Sequence, residues 1–192
     1  KNPMRVRRNS KPYQVLRHLA LAGGMLTIAI FAPRAGAQLI HKLIKVYVRK
    51  RRFEKEKFLR DLKHLQSREL IEYRELPSGE IKIVLKTRGQ EVLIQKNLDE
   101  MKLDTSKRWD GQWRLVMFDV PHYKKNARDA LREKLRHLGF YALQKSVFLT
   151  PYECEREIDF IGTVFNVRAH ILILYARHFE GEEKLRHYFK LS

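Results

Sequence analysis

Apolar residues recur at helical spacing between positions 54 and 68. At about 100° per residue, the apolar side chains fall on one side of a helix and polar side chains on the other. The apolar side comprises Phe58, Leu59, Leu62 and Leu65. The polar side comprises Glu56, Arg60, Lys63, His64 and Ser67. The pattern predicts a helix that packs with one face and leaves the other free.

Two alternating stretches follow this helix. Residues 71–76 and 80–85 alternate apolar and polar positions, and Pro77-Ser78-Gly79 joins them, so the pattern predicts a β-hairpin. A further helix is predicted at 87–98. A helix followed directly by a short hairpin is the order of a winged helix-turn-helix, in which that helix enters the DNA major groove and the hairpin touches the backbone or minor groove.

Three apolar stretches precede this unit. Residues 15–21 and 26–31 flank Gly23-Gly24, and residues 38–48 repeat at helical spacing. We therefore expect a helical lead-in that contains a pair of core helices.

A secretory signal is the alternative interpretation of this region. Basic residues precede the apolar run at 19–31, and Ala35-Gly36-Ala37 follows it like a cleavage site. However, the run is broken by glycines, stopped by Pro33-Arg34, and shorter than the ~20 apolar residues of a membrane span. We therefore expect a cytoplasmic protein with no membrane partner.

The second half alternates strand and helix signals. Pro121 and Pro151 each end a strand, and Gly139 follows an amphipathic helix as a C′ glycine does. The predicted elements are a strand at 113–120, a helix at 124–138, strands at 141–144 and 146–150, a helix that begins among Glu153, Glu155 and Glu157, and a strand at 168–175. The order βαββαβ is that of the ferredoxin-like split unit.

These elements predict an α+β fold of two domains. An N-terminal winged helix-turn-helix domain with a basic arm occupies residues 1–102, and a ferredoxin-like domain occupies residues 108–178. Residues 179–192 form a short helical tail.

The charge of the chain is high and unevenly distributed. Forty Lys and Arg residues against 22 Asp and Glu residues give a net charge of +18 over 192 residues. The first 53 residues contain 13 Lys or Arg residues and no carboxylate, and the run ends in Arg49-Lys50-Arg51-Arg52. Such an excess is typical of a protein that binds a polyanion. For any single charged residue, the simpler interpretation is that its side chain is only exposed to solvent.

The candidate DNA contacts divide into two groups. Exposed side chains of the helix before the hairpin could reach base edges in the major groove, and cations elsewhere could bind phosphate. The groove candidates are Arg60, Lys63, His64 and Ser67. The phosphate candidates are Arg49, Lys50, Arg51, Arg52, Arg74 and Lys82.

Four motifs in the second half carry a resemblance. They are WDGQWRLVMFDVP at 109–121, LGF at 138–140, LQKSVF at 143–148 and PYEC at 151–154. The chain resembles the PaaX family of transcriptional repressors, which regulate phenylacetate degradation. The resemblance implies an N-terminal winged helix that binds DNA and a central ferredoxin-like domain that dimerises. The same domain is similar to the small nuclease-like subunit of the CRISPR adaptation complex.

The second resemblance points to one possible catalytic residue. Asp119 ends the first strand of the domain, and in the CRISPR subunit the acid at this place pairs with its dimer mate to hold a divalent cation. A symmetric carboxylate pair could hold Mg²⁺ and activate water on a phosphodiester. The alternative is that Asp119 only hydrogen-bonds the turn at Val120-Pro121.

Other catalytic signatures are missing from the sequence. No phosphate-binding glycine motif follows a strand, and no Cys pair or His-x-x-x-His spacing indicates zinc, so we expect no cofactor unless Asp119 binds Mg²⁺. The lone Cys154 excludes an intramolecular disulfide.

The sequence therefore predicts a repressor-like transcriptional regulator that binds specific double-stranded DNA as a homodimer. The alternative is a metal-dependent nuclease, or a subunit of a CRISPR-type integration complex, that uses Asp119 at a dimer axis.

Overall fold

The computed structural model describes residues 10–29, 45–49 and 52–191. The chain divides into two compact units, and the boundary lies between Asn97 and Leu98. The elements that begin in the first unit are α1 (Lys11–Leu21), β1 (Met25–Ala29), β2 (Val48–Arg49), β3 (Arg52–Phe53), α2 (Lys55–Ser67), β4 (Ile71–Glu75), β5 (Glu80–Leu85) and α3 (Thr87–Glu100). The predicted helix at 54–68 and the predicted hairpin are confirmed.

The lead-in differs from the expectation of two core helices. Residues 11–21 are helical, but Met25–Ala29 is a strand that pairs antiparallel with β5, in the sheet order β1-β5-β4. The Leu85 amide donates to the Gly24 carbonyl at 2.7 Å, so the hairpin supplies this stretch with backbone partners that a helix would have found within itself. The predicted helix at 38–48 lies largely outside the described residues, and Val48 belongs to β2.

The core of the first unit lies between its helices and one face of this sheet. Val15, Leu16 and Leu19 of α1 are fully buried, as are Leu62 of α2 and Ile83 of β5. They belong to one cluster with Tyr47, Phe58, Leu65 and Ile81. Leu62 and Leu65 come from the face of α2 that the sequence pattern assigned to the core.

The second unit has the predicted strand and helix order. Its elements are β6 (Trp113–Phe118), a 3₁₀ turn (His122–Lys124), α4 (Lys125–His137), β7 (Tyr141–Gln144), β8 (Val147–Thr150), α5 (Glu155–Val164), a second 3₁₀ turn (Arg168–His170), β9 (Ile171–Ala176) and α6 (Glu182–Phe189). The antiparallel sheet has the order β7-β8-β6-β9, which is that of the ferredoxin-like unit. The predicted α+β fold class is confirmed.

The two faces of this sheet are covered differently. Val116 and Phe148 pack with Leu131 of α4 and Ile158 of α5 in one buried cluster. Trp113 and Leu149 point to the opposite face, where Leu185 of α6 joins them. Helix α6 therefore covers part of the face that α4 and α5 leave open.

Within the described ranges, no helix has both the length and the apolar character that a bilayer crossing requires.

Candidate nucleic-acid interface

Helix α2 is fixed to the first unit near its N-terminus. The buried Tyr47 hydroxyl donates to Asp61 Oδ2 at 2.9 Å, and the Tyr47 ring meets Phe58 edge-on with 5.0 Å between ring centroids. Burial, together with the hydrogen bond to the Asp61 carboxylate, raises the pKa of Tyr47 well above its usual range. Lys11 and Lys57 both pair with Glu54, at 3.0 and 3.7 Å. These contacts fix the rotation of α2, so the face it presents to solvent is defined.

The free face of α2 carries the four predicted groove residues. Arg60, Lys63, His64 and Ser67 are all exposed. The Ser67 hydroxyl donates to the His64 carbonyl at 2.9 Å, which leaves its oxygen lone pairs as acceptors for a ligand. Among the described residues, neither Arg60 nor Lys63 forms an ion pair. The structure therefore brings these four side chains together on one solvent-facing surface, which we call the α2 face.

Two residues of the predicted basic run lie in the short two-stranded ladder that precedes α2. Arg49 and Arg52 occupy directly opposite positions of the two-stranded β2–β3 ladder. Lys50 and Arg51 lie outside the described residues. The Glu54 amide donates to the Tyr47 carbonyl at 2.9 Å, so this pairing extends to the residue directly before α2. The run is therefore adjacent in the chain to the helix whose free face carries the groove candidates.

The β4–β5 hairpin places its two predicted phosphate contacts on a different surface. Arg74 and Lys82 are directly opposite in the antiparallel register. Ile81 and Ile83 are buried on either side of Lys82, so Lys82 and Arg74 point to the sheet face away from the core. The structure does not bring this pair together with the α2 face.

Carboxylates surround that pair. Glu72 and Glu80 are its diagonal neighbours on the same sheet face, and Glu75 lies next to the turn. The Ser78 hydroxyl in the turn donates to Glu80 Oε2 at 3.0 Å. The hairpin, with two cations and three carboxylates between 71 and 85, is thus close to neutral.

One contact between α2 and the hairpin was not predicted from the sequence. Gln66, in the last turn of α2, accepts a hydrogen bond from the Tyr73 amide of β4 at 2.8 Å. The contact ties the hairpin to the C-terminal end of the candidate reading helix. Its only sequence hint is a glutamine on the helix turn that precedes the hairpin.

Asp119 is exposed and directly follows the last residue of β6. Its backbone amide donates to the His170 carbonyl at 3.0 Å. Throughout residues 10–29, 45–49 and 52–191, no group of three His, Cys, Asp or Glu side chains is arranged to hold a metal ion. The Mg²⁺ site that the second resemblance implies pairs Asp119 with the same residue of a dimer mate, and it stays a prediction.

Residues 109–114 form a hydrogen-bonded segment that leads into β6 of the central sheet. The buried Arg114 guanidinium forms two hydrogen bonds with the Asp110 carboxylate, at 2.8 and 2.6 Å. That guanidinium holds the pKa of Asp110 below its usual range. The Trp109 and Trp113 rings lie 5.1 Å apart, and the Trp113 indole donates to Glu182 Oε2 of α6 at 3.1 Å. The motif is therefore structural within the second unit.

Comparison with known families bears directly on this second unit. Residues 106–187 match a family model described as "PaaX protein central Cas2-like domain". The match covers less than half of the chain, and it shows that the second unit is similar to this domain. The match confirms the resemblance inferred from the motifs between 109 and 154.

Comparisons over the whole chain are less informative. No curated protein gives a significant match. A similar solved structure is the uncharacterized protein Rv0674 from Mycobacterium tuberculosis, with 16% identity and a TM-score of 0.34. The match covers 91% of this chain and 64% of Rv0674, so this chain spans less than two thirds of that protein.

Proposed function

We propose that this protein is a cytoplasmic transcription regulator of the PaaX type that binds specific double-stranded DNA as a homodimer. The observation that carries the proposal is the α2 face, where exposed Arg60, Lys63, His64 and Ser67 stand on a helix anchored from behind by Tyr47–Asp61. Arg and Lys at such positions can donate to guanine O6 and N7 in the major groove.

Electrostatics supports a nucleic acid as the partner. In the described part of the first unit, Lys11 and Lys57 pair with Glu54, and Arg88 pairs with Glu69. Arg60 and Lys63 are left with no carboxylate partner in that part of the chain. Cations without internal partners can neutralise phosphates of a duplex and so release the counterions condensed on it. This release favours binding at low salt.

The open face of the central sheet supports self-association. Leu172, Leu174 and Leu143 are 56%, 44% and 40% exposed on the second unit. Leu172 pairs with Met117 and Leu174 with Leu115, so these side chains continue the sheet face that α6 covers only at its Trp113 end. An apolar sheet face of this kind can pack against its own copy about a two-fold axis.

A two-fold dimer would present two α2 faces. The preferred DNA site would then be an inverted repeat whose half-sites are separated by about 10 bp or a multiple of it.

Selection of bound sequences from random duplexes tests the proposal. We expect an enriched inverted repeat, and we expect Arg60→Gln to weaken binding to that repeat by about 1–3 kcal/mol and to relax base preference at one position. Lys184→Gln in α6 removes the same charge from the second unit and is the matched control. Sequence-specific binding would be refuted if no sequence is enriched and if Arg60→Gln and Lys184→Gln change duplex affinity equally little.

The proposal requires no cofactor. Duplex affinity should be the same in EDTA and in Mg²⁺ apart from ionic strength, and the bound duplex should remain intact. Cleavage that appears only with Mg²⁺ or Mn²⁺, and disappears in Asp119→Ala, would instead establish the nuclease alternative.

A further inference from the structure

The second unit contains a cationic groove that DNA reading by α2 does not use. Four side chains of α4 line it at positions 129, 132, 133 and 136, and Lys145 from the β7–β8 turn lines the other side. Residues spaced by three, four and seven share one face of a helix, so these side chains form a continuous stripe. We call this cavity of about 480 Å³ the α4 groove.

Arg132 builds the wall of the α4 groove. Its Nε donates to the Lys145 carbonyl at 2.7 Å and its Nη1 donates to Asp129 at 2.9 Å. Its guanidinium also lies over the Phe118 ring, 6.0 Å from the centroid. These contacts join α4 to the β7–β8 turn and neutralise Asp129, to which Arg128 also approaches within 3.8 Å.

Arg136 and Lys145 provide positive charge that no carboxylate of the described residues neutralises. Arg136 lies one helical turn beyond Arg132, with its guanidinium 5.9 Å from the Phe148 ring centroid. In the part of the chain that the structure describes, neither Arg136 nor Lys145 forms an ion pair. Of the two groove carboxylates, Asp129 pairs with Arg132 and Arg128, whereas Glu133 forms no ion pair with the described residues. The groove therefore keeps a positive balance after its internal pairs are counted.

The chemistry of these groups selects the ligand. Arg presents a planar fork of N–H donors, Lys presents a compact ammonium, and the two together suit phosphate oxygens. The volume lies in the range of small-molecule sites. A guanidinium placed over an aromatic ring is held in position before a ligand arrives, which lowers the entropic cost of binding.

We propose that the α4 groove binds the phosphate group of a ligand of about nucleotide size. Arg136 and Lys145 hold the phosphate oxygens, and Arg132 keeps the two sides of the groove together. The phosphate could belong to a free small molecule or to the end of a nucleic acid strand.

Amide chemical shifts report on this groove separately from the α2 face. We would titrate the full chain with pyrophosphate, with AMP, and with a short duplex with or without a 5′-phosphate. The expected result is a saturable shift of the amides between 129 and 145. A response to pyrophosphate or AMP assigns the site to a free ligand, and a response only to the 5′-phosphorylated duplex assigns it to a strand end.

Matched variants decide whether the groove itself binds. Arg136→Gln and Lys145→Gln should each weaken the titration about tenfold or more, since each removes a charge-assisted hydrogen bond. Arg136→Lys keeps the charge but loses the fork, and should give an intermediate loss. Lys184→Gln should bind as the parent does. The proposal is overturned if no probe shifts these amides, or if folded Arg136→Gln and Lys145→Gln bind as tightly as Lys184→Gln.

Discussion

Gln66 Oε1 accepts a hydrogen bond from the Tyr73 backbone amide at 2.8 Å. Gln66 belongs to the last turn of α2, and Tyr73 lies in the middle of β4, so the bond links the candidate reading helix to the hairpin. It is a side chain-to-backbone contact at the surface, which contributes about 1 kcal/mol in typical proteins. The bond also fixes the angle between α2 and the hairpin, and both elements would contact the same duplex in the proposed complex.

Removal of this acceptor should weaken DNA binding without altering its salt dependence. Gln66→Met keeps the length and helix propensity of the side chain but cannot accept the bond. We expect the affinity for the selected duplex to fall about fivefold, as the loss of ~1 kcal/mol predicts, with the slope of log K against log salt unchanged. Fluorescence anisotropy measures both quantities. Gln90→Met on α3 is the control, and an equal loss in that variant would contradict a positioning role for Gln66.

Local patterns predicted much of the first unit, and non-local pairing explains the rest. The α2 face followed from 3.6-residue periodicity, which the helix retains in any context. Strand β1 could not be predicted in this way, because Leu26 and Ile28 form a strand only where β5 supplies the ladder. The contact between Gln66 and Tyr73 likewise depends on how α2 and β4 come together.

Residue type predicted one helix end and missed another. Gly139 follows α4 with φ 86°, as a C′ glycine was expected to do. Glu69 follows α2 with φ 59°, although its side chain gives no preference for this left-handed conformation. Burial of Leu65 and Leu70 on both sides of that turn supplies the reason, since the Leu70 amide donates to the Leu65 carbonyl at 3.1 Å.

Glu69→Gly should therefore stabilise the first unit. Glycine adopts positive φ without a Cβ clash, and we expect a gain of about 0.5–1 kcal/mol in the free energy of unfolding. The ion pair between Glu69 and Arg88 that is lost is exposed and contributes little. Urea denaturation measures the change. Glu69→Ala loses the same ion pair but keeps the strain, so a gain as large in Glu69→Ala would contradict this origin.

The carboxylates of the hairpin should limit DNA affinity. Glu75 and Glu80 flank the Pro77-Ser78-Gly79 turn, where a wing would approach phosphates. Glu75→Gln combined with Glu80→Gln should raise duplex affinity severalfold, with the largest gain at low salt. Glu180→Gln combined with Glu183→Gln removes two charges near α6 and is the control. If the two double variants give equal affinities, the hairpin does not approach the duplex.

The buried thiol should make the second unit sensitive to alkali. Burial raises the pKa of Cys154 from 9.0 to about 12, and the Glu155 carboxylate adds to this shift. The native state therefore favours the neutral thiol, and the resulting stability is fully present below pH 9 and is lost as the pH rises through about 12. The shift corresponds to up to ~4 kcal/mol.

Urea denaturation of the parent and of Cys154→Ala at pH 8 and at pH 11 measures this contribution. The parent should lose more stability between the two pH values than the variant does, since the remaining titrating groups are common to both. Equal losses would contradict the buried thiol as the source. A thiol-specific reagent provides a second check, because Cys154 should react at pH 8 only after unfolding.

The open sheet face of the second unit should control the oligomeric state. Leu172 is 56% exposed and pairs in register with Met117, whereas Leu21 is 65% exposed on α1 of the first unit. In a two-fold interface each substitution occurs twice, so Leu172→Asp would place two carboxylates in one apolar contact. The penalty for a desolvated charge there should raise the dimer dissociation constant by at least about a hundredfold.

Light scattering coupled to size-exclusion chromatography measures the molar mass of each variant in solution. The parent should have twice the 23.0 kDa mass of this chain, Leu172→Asp should be monomeric, and Leu21→Asp should remain dimeric. The Leu172→Asp monomer should also lose its preference for the inverted repeat while keeping weak binding to a single half-site, because its α2 face is intact. A parent that is already monomeric at micromolar concentration, or a Leu172→Asp variant that dimerises as the parent does, would contradict the proposed interface.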